Sequence, residues 1–289
     1  MKKLLAMFLI FVSGTFSLVA QETESGIYKP VTSKWSYVSG TAEYADHYLN
    51  NQQYSGDISG IEAIHGRFFK KSDNLSWKLS LNHLRKMHTN YFGEGLINAA
   101  NTSYISTQSY EADYAVHYNW LFNDRLQVRA GGSFNVYGGF IMGDKNAVNN
   151  ILCVDLQTQF KGAVEVRYGW DFEKFGLDIY ANAAAPLFGL MAVDERYESF
   201  MATIPNSEFN LKEYNHFVFS SWHNNQGMNF EMGVDFALKR LSLCISYEER
   251  NRWWNAYELQ CYRKNSLLKL GVSVNLVSHQ NHKTGDRKF

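Results

Sequence analysis

The sequence predicts an all-β protein, a transmembrane antiparallel up-and-down β-barrel of about 10 strands, with about 12 as the alternative count. Three observations carry that prediction. The first is residues 152–172, which alternate without a break. Leu152, Val154, Leu156, Phe160, Val164, Val166, Tyr168, Trp170 and Phe172 share one parity; Cys153, Asp155, Gln157, Gln159, Lys161, Glu165, Arg167 and Asp171 share the other. Successive side chains of an extended chain point to opposite faces, so this segment has one oily and one charged face. Soluble strands run about 3–10 residues, whereas a tilted bilayer-crossing strand needs roughly 9–11 in the hydrocarbon alone.

The second observation is composition: 20 Phe, 18 Tyr and 7 Trp stand against 3 Pro, with 21 Gly scattered through strand-like segments. Aromatic girdles and two-faced strands produce this mixture, and a polar lumen face keeps the mean hydropathy negative, here −0.33. The third is the start of the chain. Lys2 and Lys3 precede an apolar run over 4–12, and small residues lead to Ala20, so residues 1–20 read as a secretory signal peptide. Leu18, three before the expected cut, is larger than ideal, which leaves the cut uncertain by a residue or two. No cysteine follows Ala20, which argues against a lipid anchor. The expectation is a single barrel domain over 21–289 in the outer membrane of a Gram-negative cell.

Strand positions follow from four short polar turns at 71–74 (KSDN), 123–125 (NDR), 173–174 and 239–240. Outer-membrane barrels keep short turns on the periplasmic side and long loops outside. Hairpins hung from these turns give strands near 35–45, 59–70, 75–88, 104–122, 126–140, 151–172, 175–188, 226–238, 241–262 and 266–278. In the eighth, Met228, Phe230, Met232, Val234, Phe236 and Leu238 alternate with Asn229, Glu231, Gly233, Asp235 and Ala237. In the tenth, Leu268, Leu270, Val272, Val274 and Leu276 alternate with Lys269, Gly271, Ser273 and Asn275. The ninth puts Glu249, Asn251 and Asn255 on the outward parity among Tyr247, Trp253 and Tyr257. A charge costs roughly 2–4 kcal/mol at the bilayer midplane, so Glu249 stands above the membrane or the strand breaks. A break over 250–255, with a further strand over 216–222, yields the twelve-strand alternative. The polar tail after His279 lacks strand patterning, although ending on Phe289 suits a barrel-assembly signal.

The inward parity collects Glu111, Asp113, His117, Arg129, Asp155, Lys161, Glu165, Arg167, Asp171, Asp178, Glu231, Asp235, Glu248, Arg250, Arg252 and Lys269. Signs are mixed and spread over many strands. A narrow barrel fills its interior with side chains, so a plugged lumen is preferred over a conducting pore, which would more naturally show a constriction ring of one sign. The 28 basic and 28 acidic residues cancel, leaving no footprint for nucleic acid. Cys153, Cys244 and Cys261 lie in strand-like segments and read as small buried or lipid-facing thiols, since three cannot form a complete disulfide framework. Nine histidines show no paired ligand spacing, so neither a metal nor a cofactor is expected.

Two stretches invite an enzymatic reading. His223-Asn224-Asn225-Gln226-Gly227 is similar to the His-x-Ser-Asn-Gly stretch of outer-membrane phospholipases, in which the histidine serves a serine two residues on. Here Asn225 holds that place and cannot be acylated; Ser220 and Ser221 precede the histidine, and Ser221 has the same-face spacing in reverse. A nucleophile needs its base in reach and a third group to orient that base. Asp194, Glu195, Glu198 and His216, in or beside the long connection over 189–225, resemble the acid and histidine pairs of outer-membrane proteases without a diagnostic spacing. No catalytic residue is assigned on either basis.

Four segments together resemble a family of Gram-negative outer-membrane proteins known as a domain of unknown function. They are Asp46-His47-Tyr48-Leu49 leading to Tyr54-Ser55-Gly56, the loop Lys145-Asn146-Ala147-Val148-Asn149-Asn150, the run from Pro186-Leu187-Phe188-Gly189 through Tyr197-Glu198-Ser199-Phe200, and His223-Asn224-Asn225-Gln226-Gly227. The similarity spans roughly residues 40–275. Family members usually show Asn-Asn-Pro where this chain has Asn149-Asn150-Ile151. The resemblance implies an outer-membrane barrel and supplies no catalytic residues. The expected partners are outer-membrane lipids and lipopolysaccharide, with the barrel-assembly machinery during biogenesis. Tyr91, Phe92, Tyr104, Phe200, Tyr214, Trp253 and Trp254 would offer flat outward contact surface, or anchor the strands at the interface. A small-solute channel and a lipid hydrolase or protease are the alternatives.

Overall fold

The computed structural model describes residues 31–46, 53–69, 74–91, 102–122, 125–143, 152–172, 175–192, 217–238, 241–256 and 259–275. They form β1 (Val31–Asp46), β2 (Gln53–Phe68), β3 (Leu75–Tyr91), β4 (Thr102–Leu121), β5 (Leu126–Gly143), β6 (Leu152–Asp171), β7 (Gly176–Ala192), β8 (Phe217–Ser221), β9 (Asn225–Leu238), β10 (Leu241–Ala256) and β11 (Leu259–Asn275). Every pairing is antiparallel. Apart from β8 and β9, each strand pairs with its neighbour in sequence, β9 also pairs with β7, and β1 joins β11 along Thr32 to Asp46, so the sheet closes on itself. Closure removes the exposed strand edges that would otherwise pair with other chains.

The wall has ten strands, because β8 adds no new place in the ring. β8 and β9 both pair antiparallel with β7, at Phe188–Ala192 and Gly176–Ala184 respectively, so they are two parts of one wall strand. Between them Trp222, His223 and Asn224 form a tight excursion: Phe188 pairs with Ser221 but Ala184 with Asn229, eight steps against four. β7 answers with its own irregularity at Leu187, which leaves both Leu187 and Phe188 exposed on the outer face. The twelve-strand alternative is therefore wrong. The segment 216–222 does contain a strand, but a collinear one.

Strand limits also differ from the sequence reading. The expected ninth strand over 241–262 reverses after Ala256, which pairs with Leu259, so the last strand begins at 259 and not at 266. Alternation cannot reveal this turn, since both strands continue with tall, amphipathic residues through it. β1 and β2 begin at Val31 and Gln53, earlier than expected. Their inward faces carry Val38, Ala42 and Ile58, packed with Leu267, beside only one charge each, Lys34 and Glu62, which hides the period.

One end of the barrel carries the connections β2–β3, β4–β5, β6–β7 and β9–β10, closed by bonds such as Phe69 N to Leu75 O (2.9 Å) and Phe172 N to Phe175 O (2.9 Å). We call it the turn end and the opposite one the loop end. The outer face is apolar from wall strand to wall strand: Leu243, Ile245, Leu268, Leu270, Ile61, Tyr110, Tyr114, Phe134, Phe160, Val164 and Ile179 are all exposed. Rings gather near the turn end, where Phe172 stacks on Phe175 and Phe175 on Phe236, while Tyr118 meets Trp120 and Tyr168 meets Trp170. Glu249, on the outward face toward the loop end, accepts from Asn251 Nδ2 (3.1 Å) and lies 3.8 Å from Lys264 Nζ. Its neighbours Asn251, Lys264 and Ser266 are polar too, so a polar patch interrupts the outer face here, with Met228 and Trp253 exposed farther toward the loop end.

Candidate functional site

Polar and charged residues of the inward parity fill the lumen. At its middle Lys269, only 2% exposed, donates to Glu62 at 2.8 Å and lies 2.9 Å from Glu248 and 3.6 Å from Glu231. Arg250 binds Glu248 at 2.7 Å and reaches Glu111 at 2.8 Å. Glu111 is on β4 and Arg250 on β10, five places apart around the ring, so this pair crosses the full diameter. Glu111 also accepts from Lys161 (3.1 Å) and Asn135 (2.7 Å). The lattice thus spans the bore, and each ion in it has a counter-ion within direct contact.

Nearer the turn end Arg167 binds Asp235 at 3.0 Å, Glu165 at 3.4 Å and Asp178 at 3.7 Å, and Arg129 binds Glu165 at 3.3 Å. Lys34 donates to Tyr180 Oη (3.1 Å), which donates to Glu231 (3.3 Å). Gly233 makes room for that bridge: a Cβ there would sit 2.6 Å from the Tyr180 ring and 2.7 Å from Ser246 Cβ.

Toward the loop end the composition changes. A cavity of about 70 Å³ is bordered by Lys86, Lys161, Arg250, Arg252 and Arg263, with Glu111 as the one acidic border residue among the described residues. Arg263 stacks over Tyr44, Tyr137 and Trp254, and Arg252 over Trp254. Arg263 also donates to Tyr137 Oη and lies 3.3 Å from Asp155. Tyr137 folds across Gly139, where a Cβ would meet the phenol oxygen at 2.7 Å.

Sequence parity placed the inward ions well. Glu111, Asp113, Arg129, Asp155, Lys161, Glu165, Arg167, Asp178, Glu231, Asp235, Glu248, Arg250 and Lys269 all enter the lumen ion pairs, His117 is buried, and Arg252 borders the cavity. The side chain of Asp171 lies outside the described residues. Lys34, Glu62, Lys86 and Arg263 were missed. Lys86 shares the parity of Ser76, Ser80 and Asn82 and was legible; Arg263 fell in an expected turn, and Lys34 just before an expected strand.

Trp254 corrects the expected outward set, since it is buried in the lumen, whereas Trp253 is exposed and packs on Tyr262. The side chains of Tyr91 and Tyr104, and Phe92, Phe200 and Tyr214 altogether, lie outside the described residues, as do Asp194, Glu195, Glu198 and His216. Cys244 and Cys261 are buried thiols on the inner face; the side chain of Cys153 is not among those described. Among the described residues, no three His, Cys, Asp or Glu side chains gather as metal ligands.

Where β8 gives way to β9, Ser221 Oγ and His223 Nδ1 are hydrogen-bonded, the reverse-spaced pair that the sequence allows. Asn224 does not orient the ring: its side chain accepts from Ser221 N (2.8 Å) and donates to Phe219 O (2.8 Å), bonds that build the excursion. Asn225 turns inward, donating to Ser220 Oγ at 2.5 Å and accepting from Arg252 Nε at 3.3 Å. The segment that resembles a phospholipase motif is thus a strand interruption with an inward asparagine where that motif has its serine.

A closed, ten-stranded antiparallel barrel with an ion-filled lumen defines the class. Residues 3–283 match a family model described as "Protein of unknown function (DUF3316)", and the chain belongs to that family. The comparison with curated proteins finds no match. Among solved structures, the outer membrane protease OmpT from Escherichia coli aligns at 7% identity and a TM-score of 0.43, covering 88% of this chain and 100% of that one. The transport unit of the autotransporter AIDA-I from Escherichia coli aligns at 8% and 0.42, covering 90% and 93%. Neisserial surface protein A aligns at 9% and 0.34, covering 85% and 97%. The activities in those names belong to those proteins.

Proposed function

We propose that this protein is an outer-membrane barrel that does not conduct, and that its loop end contacts lipopolysaccharide, glycans or partner proteins. The carrying observation is the pairing of an apolar outer belt with a crossed lumen. An exposed apolar band around a whole sheet has no place in water, and lipid accepts a closed barrel because every backbone group is paired within it. Glu249 and Lys264 face each other within a polar patch of the outer face, 3.8 Å apart. The Glu111–Arg250 bridge and the three carboxylates on Lys269 leave solutes no straight path.

Fractionation and gel migration test the location. The folded chain is expected in the outer-membrane fraction, with faster migration before boiling than after; a detergent-free soluble product refutes it. Lipopolysaccharide retention tests the contact role. The full chain folded in detergent should hold lipopolysaccharide through size exclusion, and a chain lacking residues 193–216 should hold less. Equal retention removes the long connection from the reading.

A second reading rests on the Ser221–His223 hydrogen bond, which meets the first requirement of a hydrolase. Overexpression should then alter phospholipid or lipid A composition, and His223→Ala should abolish the change. Identical lipid profiles in both strains dispose of it.

A further inference from the structure

We infer that the loop-end chamber of the lumen binds a phosphate-class oxyanion on Lys86, Arg252 and Arg263. Of the five cations that border it among the described residues, Lys161 and Arg250 are neutralised by Glu111 at 3.1 and 2.8 Å. The other three are not balanced in the same way. Among the described residues Lys86, 4% exposed, donates to a neutral amide oxygen, Asn265 Oδ1 at 2.9 Å. Arg252 Nε donates to another, Asn225 Oδ1 at 3.3 Å, while its Nη2 is buried with no hydrogen-bond partner, as is Gln159 Nε2 on the same cavity. Only Arg263 has a carboxylate, Asp155.

The strand register sharpens the point. Arg252 and Arg263 are directly opposed across β10 and β11, a placement in which like charges repel. Both are nevertheless held against the Trp254 ring, each 5.4 Å from its centroid, and Arg263 is further fixed by Tyr44 and Tyr137. Stacking on rings fixes a guanidinium while leaving its in-plane N–H groups available, which is how planar donors recognise phosphate. A buried, unpaired donor costs free energy that an incoming acceptor recovers. About 70 Å³ is several times the roughly 10–15 Å³ that admits one water, so a small oxyanion fits beside solvent. The inference does not rest on the proposed function, because the chamber has this charge whether or not the lumen conducts.

The test is calorimetric titration of inorganic phosphate into the full chain folded in detergent at constant ionic strength. Wild type should bind saturably. Lys86→Met and Arg252→Gln should each weaken binding at least about tenfold, the loss expected for one charge-assisted hydrogen bond, while unboiled-gel migration stays that of a closed barrel. Absence of saturable binding by wild type overturns the inference, whatever the variants do. Wild-type affinity in both folded variants overturns it as well. A soluble short-chain phosphatidic acid identifies the source: competition with phosphate supports a lipid headgroup, and its failure beside saturable phosphate binding supports a free anion.

Discussion

Lys269 and Lys86 face the same lumen from β11 and β3, yet one meets three carboxylates within 3.6 Å and the other a side-chain amide. Around Lys269 acids outnumber cations locally; around Arg252 and Arg263 the balance reverses. Charge was not distributed simply to fill space, since exchanging a few positions would pair both regions fully. The middle is built to be satisfied from within, and the loop end is left to be completed from outside. The cost of the second arrangement is carried by aromatic stacking and amide dipoles in place of counter-ions.

Breaking the middle should have the largest effect. Lys269→Met strands Glu62, Glu231 and Glu248 together, and removing one partner of a buried ion cluster costs about 3–5 kcal/mol. The urea midpoint of the folded barrel should fall accordingly; an unchanged midpoint would mean that water already screens the cluster. Glu111→Gln joins the two regions. It frees Lys161 and Arg250 toward the chamber, so stability should drop by about 1–3 kcal/mol while phosphate binds several-fold more tightly, read by the same calorimetry. Loss of both stability and affinity would contradict the division drawn between the two levels.

Gly233→Val should displace Tyr180 from Lys34 and Glu231 at a cost of about 1–3 kcal/mol, typical of overpacking, again measured by urea unfolding. Glu249→Ala should change stability by less than about 0.5 kcal/mol, because its pairing with Lys264 is long, 3.8 Å, and partly solvent-accessible. A gain of about 2–4 kcal/mol would instead place Glu249 inside the hydrocarbon.

Much of this molecule is legible from alternation, and the reason is physical: lipid outside and ions inside put opposite demands on neighbouring residues. β6 and β9 show the period because Asp155 and Glu231 sit between apolar neighbours, and β10 shows it up to Tyr247, where Ser242, Cys244 and Ser246 alternate with Leu241, Leu243, Ile245 and Tyr247. β2 conceals it, with Ile58 and Ile64 on the inner face and Asp57 and His65 on the outer, so Glu62 was not assigned to the lumen. The β10–β11 reversal was hidden because no glycine or proline marks the two residues between Ala256 and Leu259. The chamber escaped notice for a different reason. Parity reports which face a residue takes but not its height, and the segregation of Lys86, Arg252 and Arg263 from the acids is a matter of height.

Planar-bilayer recording of the folded full chain at high salt tests the crossed lumen most directly. The account predicts an electrically silent membrane for wild type and discrete conductance steps only once the bridge is cut, as in a Glu111→Ala, Lys269→Ala double variant. Steady ohmic steps from the wild-type barrel would contradict it.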